Sequence, residues 1–324
     1  MNNLNATVEH IAFIDNCVEK FDFQFDTCRI ELYSSQEKLH ISISGRKNLC
    51  KLESLFFRIV SLLFIYLGSS PKLCEIKENN SALETSLFSA KYIPSKTFYK
   101  KESFLCSINK KTLNSNILAL FTVMNETPIH SLQFLLSEAY DKMAMDHKIT
   151  LLLHVIDGLV SDNNANNIKN YLSTKYPAQY KNKNKADYFC SVYYVCKNYF
   201  FNYHRKFNCA ILNLLKVNQF QFVQISADTR HWYSHFLAPT KRVNRLKTGE
   251  EMFIWFDILQ YAIRLMLISE LNISVDSNII QEYYYILHDW ILNVKHNKAD
   301  NVKSNAYKIN QSIKAFYANL KSKK

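Results

Sequence analysis

Four glycines and five prolines in 324 residues limit how often this chain can turn sharply. An all-β sandwich or barrel needs glycine- and proline-rich turns about every ten residues. Such a chain is therefore expected to be dominated by helices. A hydrophobic fraction of 48% supplies ample material for a packed core and argues against global disorder. The length suits one large domain or two of ordinary size.

Two kinds of periodicity divide the chain. Phe21, Phe23, Phe25, Cys28, Ile30 and Leu32 alternate with polar residues, and after Ser34-Ser35-Gln36 the alternation resumes at Leu39, Ile41 and Ile43. Period two on both sides of a polar break predicts a strand pair. Asn48 is placed to cap a helix running to Leu67, which Gly68 and Pro71 would end. Further strands are expected around 73–76, 86–92 and 98–108. Residues 1–124 read as a small α+β module.

Beyond residue 125 the period becomes helical. Pro128 suits a first turn, and Leu132, Leu136, Tyr140 and Met143 continue the pattern. A second run holds Leu152, Val155, Ile156, Leu159 and Val160. Residues 163–184, rich in Asn and Lys, read as a connector with a short helix at most. Long helices are expected over 186–216, 248–272 and 277–295. The fold class is mainly α, a helical bundle over 125–298 preceded by the small α+β domain and followed by a lysine-rich tail at 299–324.

The formal net charge is +12. A basic surface favours polyanions, because each phosphate neutralised releases a condensed counterion. Lys241, Arg242, Arg245 and Lys247 lie within seven residues, and eight lysines face one acid between Lys295 and Lys324. The eight cysteines form no CxxC pair and no metal-ligand rhythm, which suits a reducing, cytoplasmic setting. No signal-like apolar run opens the sequence. The apolar stretch from Leu55 to Leu67 contains Arg58 and is too short to cross a bilayer, so no membrane partner is expected.

Chemistry concentrates in Arg230-His231-Trp232-Tyr233-Ser234-His235. On a helical turn His231 and His235 share a face, with Arg230 flanking it. Taken alone, Arg230 can cap a helix or pair with Asp228. The two histidines at i and i+4 also have zinc spacing, but no third ligand has recognisable spacing and no HExxH is present. Trp232 and Tyr233 are aromatics of a core or dimer interface before they are stacking platforms for bases. His154, His204, His288 and His296 lack acidic or thiol partners at sensible spacing and read as structural or surface groups.

An arginine, a polar residue, three further residues and a histidine resemble the signature of HEPN domains, four- to five-helix bundles with this motif at the start of a late helix. The segment Leu151-Leu152-Leu153-His154-Val155-Ile156-Asp157-Gly158-Leu159 is similar to an early helix of the Apea-like branch, where Asp157 takes the place of that helix's carboxylate. The resemblance covers roughly residues 128–275. It implies a homodimer through the HEPN domain and RNA as the substrate, in a prokaryotic anti-phage, toxin or abortive-infection system. The hydrolase chemistry it implies needs neither metal nor cofactor.

The residue types fit that chemistry. Histidine, with an ordinary pKa near ~6.5, serves as base or acid near neutrality. Arginine stays cationic and offers a planar set of donors to phosphate oxygens whose charge grows in the transition state. His235 is thus expected as general base or acid, Arg230 as phosphate clamp and His231 as a supporting donor. Asp157 would orient Arg230 or His235, while Lys241, Arg242, Arg245 and Lys247 would track the RNA backbone.

Other readings compete. Some HEPN domains are non-catalytic and serve for nucleic-acid binding or dimerisation as regulators or scaffolds. In another branch a nucleotidyltransferase partner modifies a tyrosine two residues after the motif histidine. This sequence has Leu237 there, although a regulatory protein or nucleic acid in the same system is still expected. A basic tail docking on a membrane surface is a third.

Overall fold

The computed structural model describes residues 2–10, 20–68, 70–83, 108–136, 143–177, 180, 187–202, 205–235, 244–275 and 277–296. The N-terminal strands β1 (Asn2–Glu9), β2 (Phe21–Phe25), β3 (Cys28–Ser35), β4 (Lys38–Gly45), β5 (Lys72–Glu78) and β6 (Ser81–Ala82) form one antiparallel sheet, ordered β2-β3-β4-β1-β5-β6. Helix α1 (Leu49–Leu67) packs on β1 and β4. Alternation places Leu4, Ala6 and Val8 opposite Ile43, Ile41 and Leu39, all buried on one face. The expected strand pair is three strands, and β1, weakly marked by Leu4, Ala6 and Val8, joins β4 to β5. Of the other expected strands, 73–76 lies in β5. Residues 84–107 lie outside the described residues, so 86–92 and nearly all of 98–108 go undescribed.

The sheet turns without glycine. Asp26 and Thr27 between β2 and β3, and Asn79 and Asn80 between β5 and β6, take positive φ (46°, 66°, 45° and 70°). Two successive left-handed residues match the right-handed twist of a tight hairpin, and Asp and Asn tolerate that region better than most residues. This is how a glycine-poor chain still carries six strands. Helix α1 follows its sequence signals: the Asn48 side chain accepts from the Lys51 N–H, and Gly68 closes the helix at φ 77°.

The remaining chain is helical: α2 (Ser115–Thr122), α3 (Glu126–Leu135), α4 (Met145–Leu159), α5 (Asp162–Lys175), α6 (Asp187–Cys196) with a π-helical turn at Lys197–Phe201, α7 (Arg205–Leu215), α8 (Gln219–Ser234), α9 (Gly249–Glu270) and α10 (Ser277–His296). Helix α4 packs against α3, α6, α8 and α9. Helix α9 also packs on α1, and one continuous buried core runs from the sheet into the helices. The protein is thus mainly α with an antiparallel sheet at its N-terminal end.

Two expectations need correction, and one helix was not expected. Residues 163–184 are not mostly connector, since α5 occupies 162–175. Ser161 caps it, and Ala165, Ile168 and Leu172 bury one narrow stripe that its polar composition hides. The helix expected over 186–216 is interrupted by the π-helical turn at 197–201, which shifts the register of its buried face. Helix α8 forms a separate element, opened by a reciprocal capping box between Asn218 and Gln221. Its buried face carries Gln224, Ser226, Asp228 and Thr229, so hydrophobic periodicity alone does not reveal it.

Helix α9 is long and apolar enough to cross a membrane by length and composition, but 78% of its most apolar window is buried inside the protein. It is the central core helix, with Tyr261, Ala262, Ile263, Met266 and Leu267 fully enclosed.

Candidate functional site

Helices α4, α6 and α8 converge at the last turn of α8. The Arg-His motif was expected at the start of a late helix. Instead Arg230 lies in the final turns of α8, and His235 is its C-cap, with the backbone N–H bonded to the His231 carbonyl at 3.3 Å. The physical reason is the capping box at Asn218, which starts α8 early enough for sixteen residues to precede the cap.

From that turn the Arg230 side chain crosses to α4. Its Nη2 donates to Asp157 Oδ2 at 3.2 Å, and Nε and Nη2 approach His154 Nδ1 at 3.3 and 3.0 Å. The Tyr188 ring of α6 lies against the guanidinium, 4.4 Å from Cζ to the ring centroid. Such stacking adds attraction from the ring quadrupole. Tyr188 is itself fixed, its hydroxyl donating to the Ala227 carbonyl at 3.2 Å. Ser191 of α6 donates to the other Asp157 oxygen at 3.3 Å. The Arg230 and Asp157 side chains are 17% and 35% exposed, so the pair is shielded but reachable by solvent. Nη1 of Arg230 carries no hydrogen bond to any described residue.

His154 has a defined tautomer. Arginine nitrogens only donate, so Nδ1 must accept and Nε2 must carry the proton. That Nε2–H meets Ser234 Oγ at 3.2 Å. Burial and then the Arg230 charge lower the His154 pKa, against a smaller opposing effect of Asp157. Burial likewise raises the Tyr188 phenol, with Arg230 opposing.

The expected residues therefore separate. Arg230 and Asp157 are in contact. His231 and His235 sit together at the exposed helix end, ring centroids 4.8 Å apart, and no hydrogen bond joins His235 to Arg230. Among the described residues no group of three or more His, Cys, Asp or Glu side chains could hold a metal ion. His154, read from sequence as structural or surface, instead faces Arg230. Its spacing from Asp157, three residues on one helix, was the signal that could have found it.

Of the basic run after the motif, Lys241 and Arg242 lie outside the described residues. Arg245 lies over the Trp232 ring at 3.9 Å and is 5.9 Å from the Tyr233 centroid. The next residue pins the segment, Leu246 N–H donating to Thr229 Oγ1 at 3.0 Å. Lys247 is exposed. Trp232 is nearly buried, so one of its faces is committed to Arg245.

A cleft of about 880 Å³, lined in part by His154, opens between α1, α3 and α4. Gly158 lets α3 approach α4 closely behind it, because a Cβ there would lie 2.8 Å from Pro128 Cγ.

No protein-family model, no curated protein and no solved structure matches the chain.

Proposed function

We propose that this protein is a metal-independent endoribonuclease of HEPN type, acting as a homodimer in a prokaryotic defence or toxin system. The observation that carries the reading is the placement of Arg230. Its guanidinium is held by Asp157, His154 and Tyr188, leaves Nη1 uncommitted among the described residues, and lies one to five residues before two exposed histidines on the same helix end. A held cation beside titratable imidazoles is what a 2′-OH transesterification requires.

In the proposed reaction a histidine takes the proton of the RNA 2′-OH, and the 2′ oxygen attacks the adjacent phosphorus. Arg230 donates to the non-bridging oxygens as negative charge grows there. The bond from phosphorus to the 5′ oxygen breaks, and that oxygen leaves with a proton from a second imidazole. The products are a 2′,3′-cyclic phosphate and a 5′-hydroxyl. His235 is the first choice for base or acid, with His231 supporting it. Pairing two copies brings a second Arg230–His235 set to the same phosphate. The net charge of +12 favours encounter with RNA.

A second reading rests on the same contacts. Arg230 already has a carboxylate and a ring as partners, as an arginine tying helices together would. The motif then serves a non-catalytic nucleic-acid-binding or dimerisation module.

The test is incubation of cellular RNA in EDTA with the wild-type protein, Arg230→Ala and His235→Ala, followed by analysis of fragment ends. Cleavage leaving 2′,3′-cyclic ends, lost in both variants and absent on a 2′-deoxy substrate, is the expected result. Cleavage that survives in both variants moves the chemistry elsewhere. An intact substrate with every version, together with loss of dimer in Arg230→Ala, favours the binding module.

A further inference from the structure

The cleft beside His154 differs in charge from the molecule around it. It is lined by one stripe of α1 (Glu53 and Phe57 among its residues), by Glu126 and Phe134 of α3, and by Leu151 and His154 of α4. No lysine or arginine lines it among the described residues, although the protein carries +12 overall. A phosphate would meet carboxylates there and gain nothing. An uncharged, flat group rich in N–H donors would gain both stacking and hydrogen bonds.

The two carboxylates are not equivalent. Glu126 accepts from Arg58 Nε at 2.7 Å and is paired. Glu53 is half-buried and makes no ion pair or hydrogen bond among the described residues. An ionised carboxylate only accepts, and two adjacent parallel donors satisfy it best. Among the four RNA bases, guanine alone offers such an edge, its N1–H beside its exocyclic amino group. Adenine and cytosine place a ring acceptor next to the amino group, and the N–H of uracil stands between two carbonyls. Phe57 and the exposed rim residue Phe134 supply apolar faces of the kind on which unstacked RNA bases lie.

We infer that this cleft binds a guanine base of the RNA, with Glu53 accepting from its N1–H and amino group while the attached phosphate reaches Arg230. The inference rests on the ribonuclease reading for its biological meaning, and it names the base next to the phosphate that reading requires. His154 links the two halves, because it lines the cleft and touches Arg230. One nucleotide, base in the acidic cleft and phosphate at the guanidinium, bridges them.

The experiment is calorimetric titration of the full chain carrying His235→Ala, which blocks turnover, with 3′-GMP, 3′-AMP, 3′-CMP and 3′-UMP. The expected result is 3′-GMP binding about tenfold or more tighter than the others. Glu53→Gln in the same background should erase that preference and leave the thermal unfolding midpoint unchanged. Equal binding of all four nucleotides, no binding of any, or a preference that survives Glu53→Gln overturns the inference. The two readings fail separately. Wild-type protein that cuts RNA but shows no guanine preference keeps the ribonuclease and loses this site. Protein that binds 3′-GMP through Glu53 but leaves RNA intact keeps the site and loses the ribonuclease.

Discussion

Arg264 Nη2 donates to the carbonyl of Ile65 at 3.0 Å, tying the middle of α9 to the last turn of α1 across 199 residues of sequence. The same nitrogen approaches the Tyr66 carbonyl at 3.3 Å, and the Arg264 side chain is wholly buried. The last carbonyls of a helix have no partner within it and carry its negative dipole end. A buried guanidinium satisfies both needs at once, and it does so where α1, which packs on the sheet, meets α9.

Arg264→Met keeps much of the volume and removes the donors, leaving the Ile65 and Tyr66 carbonyls buried without them. The expected cost is about 2–4 kcal/mol of stability, read as a lower urea midpoint. Arg264→Lys should recover only part of it, since one ammonium cannot reproduce the planar donor geometry. An unchanged midpoint in Arg264→Met would show that other groups cap α1.

Asp157→Asn separates positioning from stability. The Arg230–Asp157 pair is partly exposed, so its loss should cost under about 1 kcal/mol. Under the proposed ribonuclease reading, cleavage should fall further, roughly tenfold to hundredfold, because an arginine freed from its carboxylate would no longer hold a phosphate in place. The thermal midpoint and kcat/KM on one RNA substrate together decide it. A large loss of stability with unchanged turnover would reverse the assignment.

The His154 tautomer can be read without any activity. In spectra of protein carrying 15N-labelled histidine, His154 should appear as the Nε2–H form and stay neutral to lower pH than an ordinary histidine, since burial and Arg230 both oppose its charge. Arg230→Ala should raise its titration point and mix the tautomers. An Nδ1–H signal in the wild type would contradict the hydrogen bonds from Arg230.

Acid should weaken the sheet module through His10. Its ring is fully enclosed, and burial pushes its pKa down from 6.5 to about 4. The folded state therefore favours the neutral ring while the unfolded chain takes up a proton. The stability involved is fully present above pH 6.5 and is lost as pH falls toward 4, in total on the order of 3 kcal/mol. Urea unfolding of the wild type against His10→Gln across that window isolates this contribution from the carboxylates. Parallel pH curves for the two proteins would rule it out.

The turn at Thr27 is strained. A β-branched residue at φ 66° is a poor occupant of the left-handed region, and Thr27 is exposed, so its side chain gives little in return. Thr27→Gly should stabilise the protein by about 0.5–1 kcal/mol, less than the full strain because glycine also loosens the unfolded chain. A lower unfolding midpoint in Thr27→Gly would mean that the threonine makes compensating contacts.

What the sequence determined by itself is local. The period-two runs specify β3 and β4, Asn48 and Gly68 bound α1, and the apolar pattern specifies α9, because these depend on neighbours a few residues apart. The spacing of Arg230 and His235 was legible for the same reason, while Asp157 came into view only through the family resemblance. Helix α5 and helix α8 were harder to see, since polar residues share or dominate their faces. The family resemblance led to the expectation that Asp157 would orient Arg230, whereas tertiary structure alone decided that His154, 76 residues from Arg230, joins the pair and that a cleft opens beside it. Those contacts depend on how α4, α6 and α8 cross and on how far an arginine reaches, and no spacing along one helix encodes either.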